Sequence, residues 1–166
     1  MSETPNTSNS AENGAQAGPI MRVVAQYLKD MSFENPNAPA IYSEMAAAPQ
    51  IEVNVDVSAR TVGQDHYEVE LSVAARAEHE DKPVFVVEST YAGVFLLQNI
   101  PEEHLEAVMV VECPRMLFPF LRQIISDATR NGNFPPLMLE PIDFMRIYEQ
   151  RQMAVAQNAG ESGVAN

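Results

Sequence analysis

The chain has 166 residues, of which 46% are hydrophobic, and its formal net charge is −13. This length and composition are typical of one globular domain with an ordinary hydrophobic core. The acidic excess argues against binding to nucleic acid or to an anionic membrane, because both need Lys and Arg opposite their phosphates.

The two ends of the chain differ in composition from the middle. Residues 1–18 and 157–166 are rich in small and polar residues and contain no aromatic residue. Such segments bury too little apolar surface to offset the entropy that is lost on ordering. We therefore expect a disordered N-terminal tail over 1–18, a single domain over 19–156 and a disordered C-terminal tail over 157–166.

Acidic residues are concentrated in the first part of the domain. Residues 20–112 contain five basic and 16 acidic residues, whereas 113–151 contain five basic and four acidic residues. This asymmetry favours a basic protein partner through electrostatic steering, although a need for solubility explains it equally well. The N-terminus has no signal-peptide pattern, and no apolar run approaches the length of a membrane span, so we expect a cytoplasmic protein.

The stretch DMSFE (30–34) carries two carboxylates four residues apart, Asp30 and Glu34. On a helix these groups would lie about 6 Å apart, which suits an acid–base pair in catalysis. On a strand they would lie about 13 Å apart on one face, too far for one reaction but suitable for a solvated or partner-binding face. Residues 22–29 fit either structure, but Pro36 and Pro39 follow closely and favour extended chain for 31–34. The strand prediction directs Met31 and Phe33 towards the core.

Three further strands are predicted at 51–58, 66–78 and 83–95. The first alternates strictly between apolar and polar residues, the second alternates again, and the third begins with an apolar run that indicates burial on both faces. Short turns between them predict an antiparallel meander. The segment 34–50, with three prolines, is a long irregular connection by which the 20–34 strand joins the sheet in a Greek-key crossover.

Helices are predicted after Gly93. Pro101 suits the first position of a helix, and a longer helix over 114–131 contains Pro119 and ends at Gly132, which we interpret as its C′ residue. The apolar residues of the longer helix cover more than one stripe, which indicates contact with the sheet on one side and with another subunit on the other. A final helix is predicted over 141–156, after the proline-rich loop 133–143.

No common catalytic or cofactor motif is present. The single cysteine, Cys113, lacks the spacing to arginine of a phosphatase, and we interpret it as a buried structural residue. The three histidines are far apart in sequence, and no phosphate-binding glycine loop occurs. We expect no metal, no cofactor and no enzymatic activity, and we retain catalysis by Asp30 and Glu34 or by Cys113 only as a competing hypothesis.

Three stretches of the chain closely resemble the SecB family of bacterial protein-export chaperones. They are YLKDMSFENPNAP (27–39), FVVE (85–88) and CPRMLFPFLRQIISDATRNGNFPPLMLEPIDF (113–144). The sequence departs from the family at 131–133, where Asn-Gly-Asn is one residue longer than the usual pattern, and in the 43–50 loop. The resemblance implies an α+β fold in which two main helices lie on one side of a four-stranded antiparallel sheet, assembled as a homotetramer, a dimer of dimers.

The resemblance also implies a function and its sites. Family members bind unfolded precursor proteins, keep them competent for translocation and deliver them to the SecA ATPase. The SecA-docking surface would fall on Asp30, Glu34, Val86 and Glu88. The client groove, between the crossover and the last helix, would be lined by Ile41, Tyr42, Met45, Phe144, Ile147 and Tyr148. The alternative function is a general, stress-linked or antitoxin-linked SecB-like holdase that is not dedicated to export.

Overall fold

Four antiparallel strands form one sheet in the computed structural model, which describes residues 18–161. The strands are β1 (Ile20–Glu34), β2 (Gln50–Gly63), β3 (His66–His79) and β4 (Lys82–Gln98), and they lie in the order β1-β4-β3-β2. The segment 35–49, which contains the one-turn helix α1 (Ile41–Glu44), crosses from β1 at one edge to β2 at the other. The predicted α+β class with a four-stranded antiparallel sheet is confirmed. Residues 1–17, where the N-terminal tail was predicted, lie outside the described residues.

β1 is extended along its whole length, so the helical alternative for residues 22–29 is wrong. It pairs with β4 from Ile20 opposite Gln98 to Glu34 opposite Val86. The register shifts between Val23 and Ala25, and again after Leu28, which indicates two bulges. The hydrogen bonds to a long neighbouring strand determine the structure here, where the sequence pattern alone was ambiguous.

β2, β3 and β4 are longer than predicted, because the turns between them contain only two residues each. Gln64–Asp65 joins β2 to β3, and Glu80–Asp81 joins β3 to β4; Asp65, Glu80 and Asp81 have positive φ, which such tight hairpin turns require. β4 continues to Gln98, so the predicted change to helix after Gly93 is wrong. Gly93 is instead a place of close packing, since a Cβ there would lie 2.9 Å from Leu117 Cδ2 on the helix above.

The predicted helices around residues 101–131 form one continuous helical segment. It consists of α2 (Glu102–Ala107), a π-helical turn (Val108–Glu112) and α3 (Cys113–Asn131). Pro101 is the N-cap residue and not the first helical residue. Pro114 and Pro119 cannot donate a helical hydrogen bond, and the wide turn lies directly before the first of them.

α3 packs on β3 and β4 with one face. Leu117, Leu121 and Ile125 recur at helical spacing and are fully buried against the sheet. Met116 and Phe120 are exposed beside this face, and the Phe120 ring stacks on Tyr91 of β4 with 5.6 Å between ring centroids. α3 therefore covers the two middle strands and leaves two large apolar side chains partly open to solvent.

The end of α3 differs from the prediction. Gly132 has a φ of −76°, which any residue adopts, and the left-handed residue is Asn133 with a φ of 63°. Glycine at 132 is explained by close packing instead, because an added Cβ would collide with the Phe33 ring of β1. This contact fixes the end of α3 against the strand that carries DMSFE.

The last helix, α4 (Phe144–Glu161), starts three residues later than predicted and continues into the segment 157–166. Asp143 Oδ1 accepts a hydrogen bond from the backbone N–H of Arg146 at 3.1 Å, which caps the first turn. Of the helices within residues 18–161, none is both long and apolar enough to cross a membrane.

A cluster of charged side chains connects the strands on the face of the sheet away from α3. Glu68 of β3 is only 3% exposed there, and it accepts hydrogen bonds from Tyr27 Oη, from Lys29 Nζ at 3.2 Å and from Arg60 Nε at 2.5 Å. The donors come from β1 and β2, so the carboxylate connects strands that are not neighbours. The Tyr27 hydroxyl, followed by Arg60 and Lys29, lowers the pKa of Glu68 to about 2.

Replacing Glu68 with Gln is expected to lower the free energy of unfolding at pH 7 by about 1–2 kcal/mol. This is less than the full pKa shift implies, because Arg60 and Lys29 are exposed and solvent screens their attraction to the carboxylate. The pKa of Glu68 is about 2 in the folded protein and 4.5 ordinarily. Its contribution is therefore complete above pH 4.5 and is lost as the pH falls towards 2. Urea unfolding at fixed protein concentration should show the difference between wild type and variant shrinking below pH 4.5.

The control is Glu52→Gln, at an exposed position of β2 on the same face of the sheet as Glu68. This variant should unfold like the wild type at pH 7. A Glu68→Gln difference that stays constant between pH 7 and pH 3 would contradict the role assigned to the ionised carboxylate.

Candidate binding surfaces

The predicted SecA-docking residues share the face of the sheet opposite α3. Asp30 is paired with Thr90, Glu34 is paired with Val86, and Glu88 lies between those two β4 residues on the same face. Asp30, Glu34 and Glu88 are exposed, and Val86 is half-buried among them. The structure therefore brings all four residues together, and it confirms that DMSFE is extended.

Residues on the other face of DMSFE fix this arrangement. Met31 and Phe33 are half-buried and pack against the core on the helix side. The Phe33 ring stacks on Phe85 with 6.0 Å between ring centroids. A one-residue slip of β1 would exchange these side chains with the acids, so the core contacts specify which face the carboxylates occupy.

A shallow hollow of about 300 Å³ lies in the middle of this acidic face. Its floor is formed by small side chains, among them Ser72, Ala74 and Thr90, from strands β3 and β4. Carboxylates from three strands border it: Asp30, Asp56 and Glu88. The sequence analysis did not single out Asp56, because the sheet order that places β2 across from β1 is not visible in the sequence.

Two of the predicted client-binding residues are part of the core. Ile41 is 1% exposed and Phe144 is 2% exposed, and both belong to the main hydrophobic cluster. Their side chains are covered in this structure, and their assignment to the client groove stays a prediction. Their burial holds the crossover and the start of α4 onto the body of the domain.

Tyr42 and Met45 lie at the surface of the crossover. The Tyr42 hydroxyl accepts a hydrogen bond from Asn35 Nδ2 at 2.6 Å and donates one to the carbonyl of Gly132 at 2.9 Å. The Tyr42 ring also lies 5.5 Å from that of Phe134. Tyr42 thus joins the crossover to the end of α3, and half-buried Met45 lines the hollow beside it.

Two adjoining hollows form an apolar groove on the helix side of the sheet, which we call the β2 groove. A hollow of about 180 Å³ lies between the crossover and residues 134–137, and one of about 430 Å³ lies between β2 and residues 137–142. They share Ile51 and Leu137. The β2 groove is lined by these side chains and by Met45, Val53, Phe85, Phe134, Met138 and Ile142.

Ile51 and Val53 are the groove residues that sequence reasoning missed. Strict alternation predicted both to be buried, but they are 43% and 41% exposed. The alternation of a strand shows which residues share a face, and it does not show how far the helical layer extends over that face. The sequence did contain one signal for this groove, the prolines at 135, 136 and 141. They keep residues 134–142, which form the wall of the groove opposite β2, out of regular helix or strand.

The last helix begins two residues after Ile142, the last residue that lines the groove. Ile147 and Tyr148 are half-buried on α4 and pack against the core, but neither lines the two hollows. The groove therefore lies between the crossover with β2 and the 134–142 connection, and α4 follows directly after it. The sequence placed the client groove between the crossover and α4 itself, and that placement stays a prediction.

The backbone of β2 is also open along the groove. His79 and Lys82 flank a two-residue turn and are hydrogen-bonded to each other through their backbones. Because backbone groups alternate in direction along a strand, the N–H and C=O groups of odd-numbered β3 residues bond to β4, and those of even-numbered β3 residues bond to β2. The N–H and C=O groups of Ile51 and Val53 therefore point away from the sheet. Within residues 18–161, no backbone hydrogen bond from another segment reaches them.

Cys113 is buried in the core of the domain at the start of α3. Burial, with a smaller contribution from Glu112, raises the pKa of its thiol to about 12. A thiol with this pKa carries almost no thiolate at neutral pH, and it is shielded from solvent. The position agrees with the structural interpretation of this cysteine and does not suit a nucleophile.

Comparison with known proteins identifies one family. Residues 14–155 match the family model described as "Preprotein translocase subunit SecB". The chain is 50% identical over 139 residues to the protein-export protein SecB of Bartonella bacilliformis, covering 84% of this chain and 87% of that protein. It is 47% identical over 164 residues to SecB of Maricaulis maris, covering 98% of this chain and 94% of that protein.

A solved structure supports the fold. The SecB-like chaperone of Mycobacterium tuberculosis, in complex with a peptide from the HigA1 antitoxin, superposes with a TM-score of 0.62 at 19% sequence identity. The match covers 74% of this chain and 90% of that one. At this identity the similarity concerns the arrangement of strands and helices.

Proposed function

Since this chain belongs to the SecB family of protein-export proteins, we propose that the two faces of its sheet carry two different interactions of an export chaperone. The protein is a holdase for preprotein export and not an enzyme. The β2 groove holds an unfolded precursor, and the acidic face docks the SecA ATPase. The observation that carries this division is that the apolar groove and the carboxylates lie on opposite faces of one sheet.

The β2 groove suits an extended, apolar client segment. A client strand that pairs with the outward-pointing backbone of Ile51 and Val53 would gain hydrogen bonds that do not depend on client sequence. Its alternate side chains would enter the hollows beside Leu137 and Ile142. Met45 and Met138 contribute flexible side chains that adapt to clients of different shape.

The acidic face suits a basic partner. Asp30, Glu34 and Glu88 surround the apolar Val86 on a flat part of the sheet, so charge on the rim would steer a basic surface and Val86 would give it an apolar contact. This is the arrangement that the family resemblance assigns to SecA docking.

We further propose that the protein is a homotetramer built as a dimer of dimers. Large apolar side chains are left exposed in the single chain on α3 (Met116 and Phe120) and on the helix-side face of β1 (Leu28 and Met21). A second copy packed on this layer would bury them. We also interpret the order β1-β4-β3-β2 as a Greek key, because β2, β3 and β4 are consecutive hairpins and β1 lies beside β4.

We place the protein in the cytoplasm, where precursors are available before export, and expect no nucleic-acid ligand and no direct membrane binding because of its net charge of −13. The alternative of a general, stress-linked or antitoxin-linked holdase is not favoured, since the relatives that cover most of the chain are protein-export proteins.

The docking proposal is tested with the double variant Asp30→Asn with Glu34→Gln. Loss of two charge-assisted contacts is expected to weaken binding to purified SecA about tenfold. Binding of an unfolded precursor, measured in parallel by fluorescence anisotropy, should stay unchanged because the groove is on the other face. Glu102→Gln with Glu103→Gln removes the same charge from an exposed helix start and should bind SecA like the wild type. Equal SecA affinity of wild type and the first variant would refute the docking surface.

The groove proposal is tested with Ile51→Thr combined with Val53→Thr. Threonine keeps the preference for strand structure but removes apolar surface, so client affinity should fall about tenfold while SecA affinity is retained. Val62→Thr, at an exposed apolar position of the same strand outside the hollows, is the matched control. Unchanged client affinity in the double variant would show that clients bind elsewhere.

A further inference from the structure

One wall of the β2 groove carries an exposed methionine whose sulfur accepts a hydrogen bond. Met138 belongs to the 134–142 connection, lines the hollow of about 430 Å³ and is 55% exposed. Ser126 of α3 donates from Oγ to Met138 Sδ at 3.4 Å. Among the methionines within residues 18–161, no other has a hydrogen-bond donor on its sulfur. Met138 is therefore open to solvent while its sulfur is held from one side.

The donor is a buried hydroxyl with a weak acceptor. Ser126 is 4% exposed. A serine inside a helix can bond to a carbonyl one turn earlier, but this hydroxyl bonds to a thioether instead. Its burial keeps water from competing for the hydrogen bond, so the hydroxyl stays directed at Met138.

The backbone on both sides of Met138 is fixed to the body of the domain. The N–H of Leu137 donates to Thr129 Oγ1 of α3 at 2.9 Å, and Thr129 is fully buried. On the other side, Leu139 is 4% exposed and belongs to the main hydrophobic cluster. Because both neighbours are attached to the core, Met138 is kept at the surface of the hollow.

A thioether in this position can react with hydrogen peroxide. A lone pair of the sulfur attacks one peroxide oxygen, so that an S–O bond forms, the O–O bond breaks and the other oxygen leaves with both protons as water. The sulfur loses two electrons and the peroxide is reduced. Ser126 occupies one of the two lone pairs of Met138 Sδ, so the oxygen is added at the other. Since the sulfoxide sulfur is chiral, reaction at one lone pair gives one of the two epimers.

We propose that Met138 is a site of reversible oxidation that controls the affinity of the β2 groove for its client. Oxidation places a polar S=O group in a wall that Leu137 and Ile142 otherwise make apolar. An apolar client segment would cover this group without giving it a hydrogen-bond donor, which weakens binding. The effect on the client rests on the proposed client groove, whereas the oxidation and its stereochemistry do not depend on a client.

The test compares the full chain as wild type, Met138→Leu, Ser126→Ala and Met153→Leu. Met153 of α4 is 64% exposed and lines neither hollow, which makes it the matched control for an exposed methionine outside the groove. Each protein is treated with hydrogen peroxide, and peptide mass spectrometry follows the oxidation of each methionine. Two methionine sulfoxide reductases, each specific for one epimer, identify the epimer in the peptides. The affinity for a fluorescently labelled, urea-unfolded precursor is measured before peroxide, after peroxide and after reduction.

In the wild type, one epimer at Met138 should exceed the other about fivefold, because reaction at the lone pair that Ser126 occupies first requires the loss of a hydrogen bond. Ser126→Ala should give similar amounts of both epimers. Peroxide should lower precursor affinity about three- to tenfold in the wild type and in Met153→Leu, and reduction should restore it. Met138→Leu should keep the affinity of its own untreated form.

Equal amounts of the two epimers in the wild type, or the same excess in Ser126→Ala, would overturn the role of Ser126. A full loss of affinity in Met138→Leu, or none in the oxidised wild type, would overturn the control of the groove by Met138. The client groove is judged separately, since it fails only if the Ile51 and Val53 double variant binds the precursor normally before any oxidant is added.

Discussion

The fold depends on a sheet that has helical cover on one face only. α3 packs on β3 and β4, and no second helical layer lies on the opposite face within residues 18–161. The uncovered face must be compatible with water, which accounts for its carboxylates and for the cluster in which Glu68 connects three strands. On the covered face, the helical layer leaves parts of β2 and of β1 open. The apolar groove and the exposed apolar side chains of β1 are both consequences of this incomplete cover.

Because the sheet has helical cover on one face only, its two faces are chemically different, and this difference separates the two proposed interactions. Side chains alternate along a strand, so residues next to each other in sequence serve different faces. In DMSFE, Asp30 and Glu34 face the partner side while Met31 and Phe33 fix the strand to the core. In β2, Asp56 faces the partner side while Ile51 and Val53 face the groove.

The sequence predicted those parts of the fold that are determined locally or by strict alternation. The meander follows from period-2 patterns, and the extended DMSFE stretch follows from the prolines after it. The set Asp30, Glu34, Val86 and Glu88 follows from the family resemblance. The continuity of the helix through Pro114 was not predictable, because the π-helical turn directly before this proline has no signature in the sequence pattern. The burial of Ile41 and Phe144 and the exposure of Ile51 depend on where the crossover and the 134–142 connection come to lie, which is set by tertiary packing.

The central claim is that client and SecA occupy opposite faces of one sheet. Hydrogen exchange of the β2 amides, combined with carbodiimide labelling of surface carboxyl groups, tests it in a single protein. A bound precursor should protect the outward-pointing N–H groups of Ile51 and Val53 from exchange and leave the carboxyl groups of Asp30, Glu34 and Glu88 reactive. Bound SecA should protect these carboxyl groups from labelling and leave the two amides exchanging. Protection of the carboxyl groups by the precursor, or of the β2 edge amides by SecA, would contradict the account.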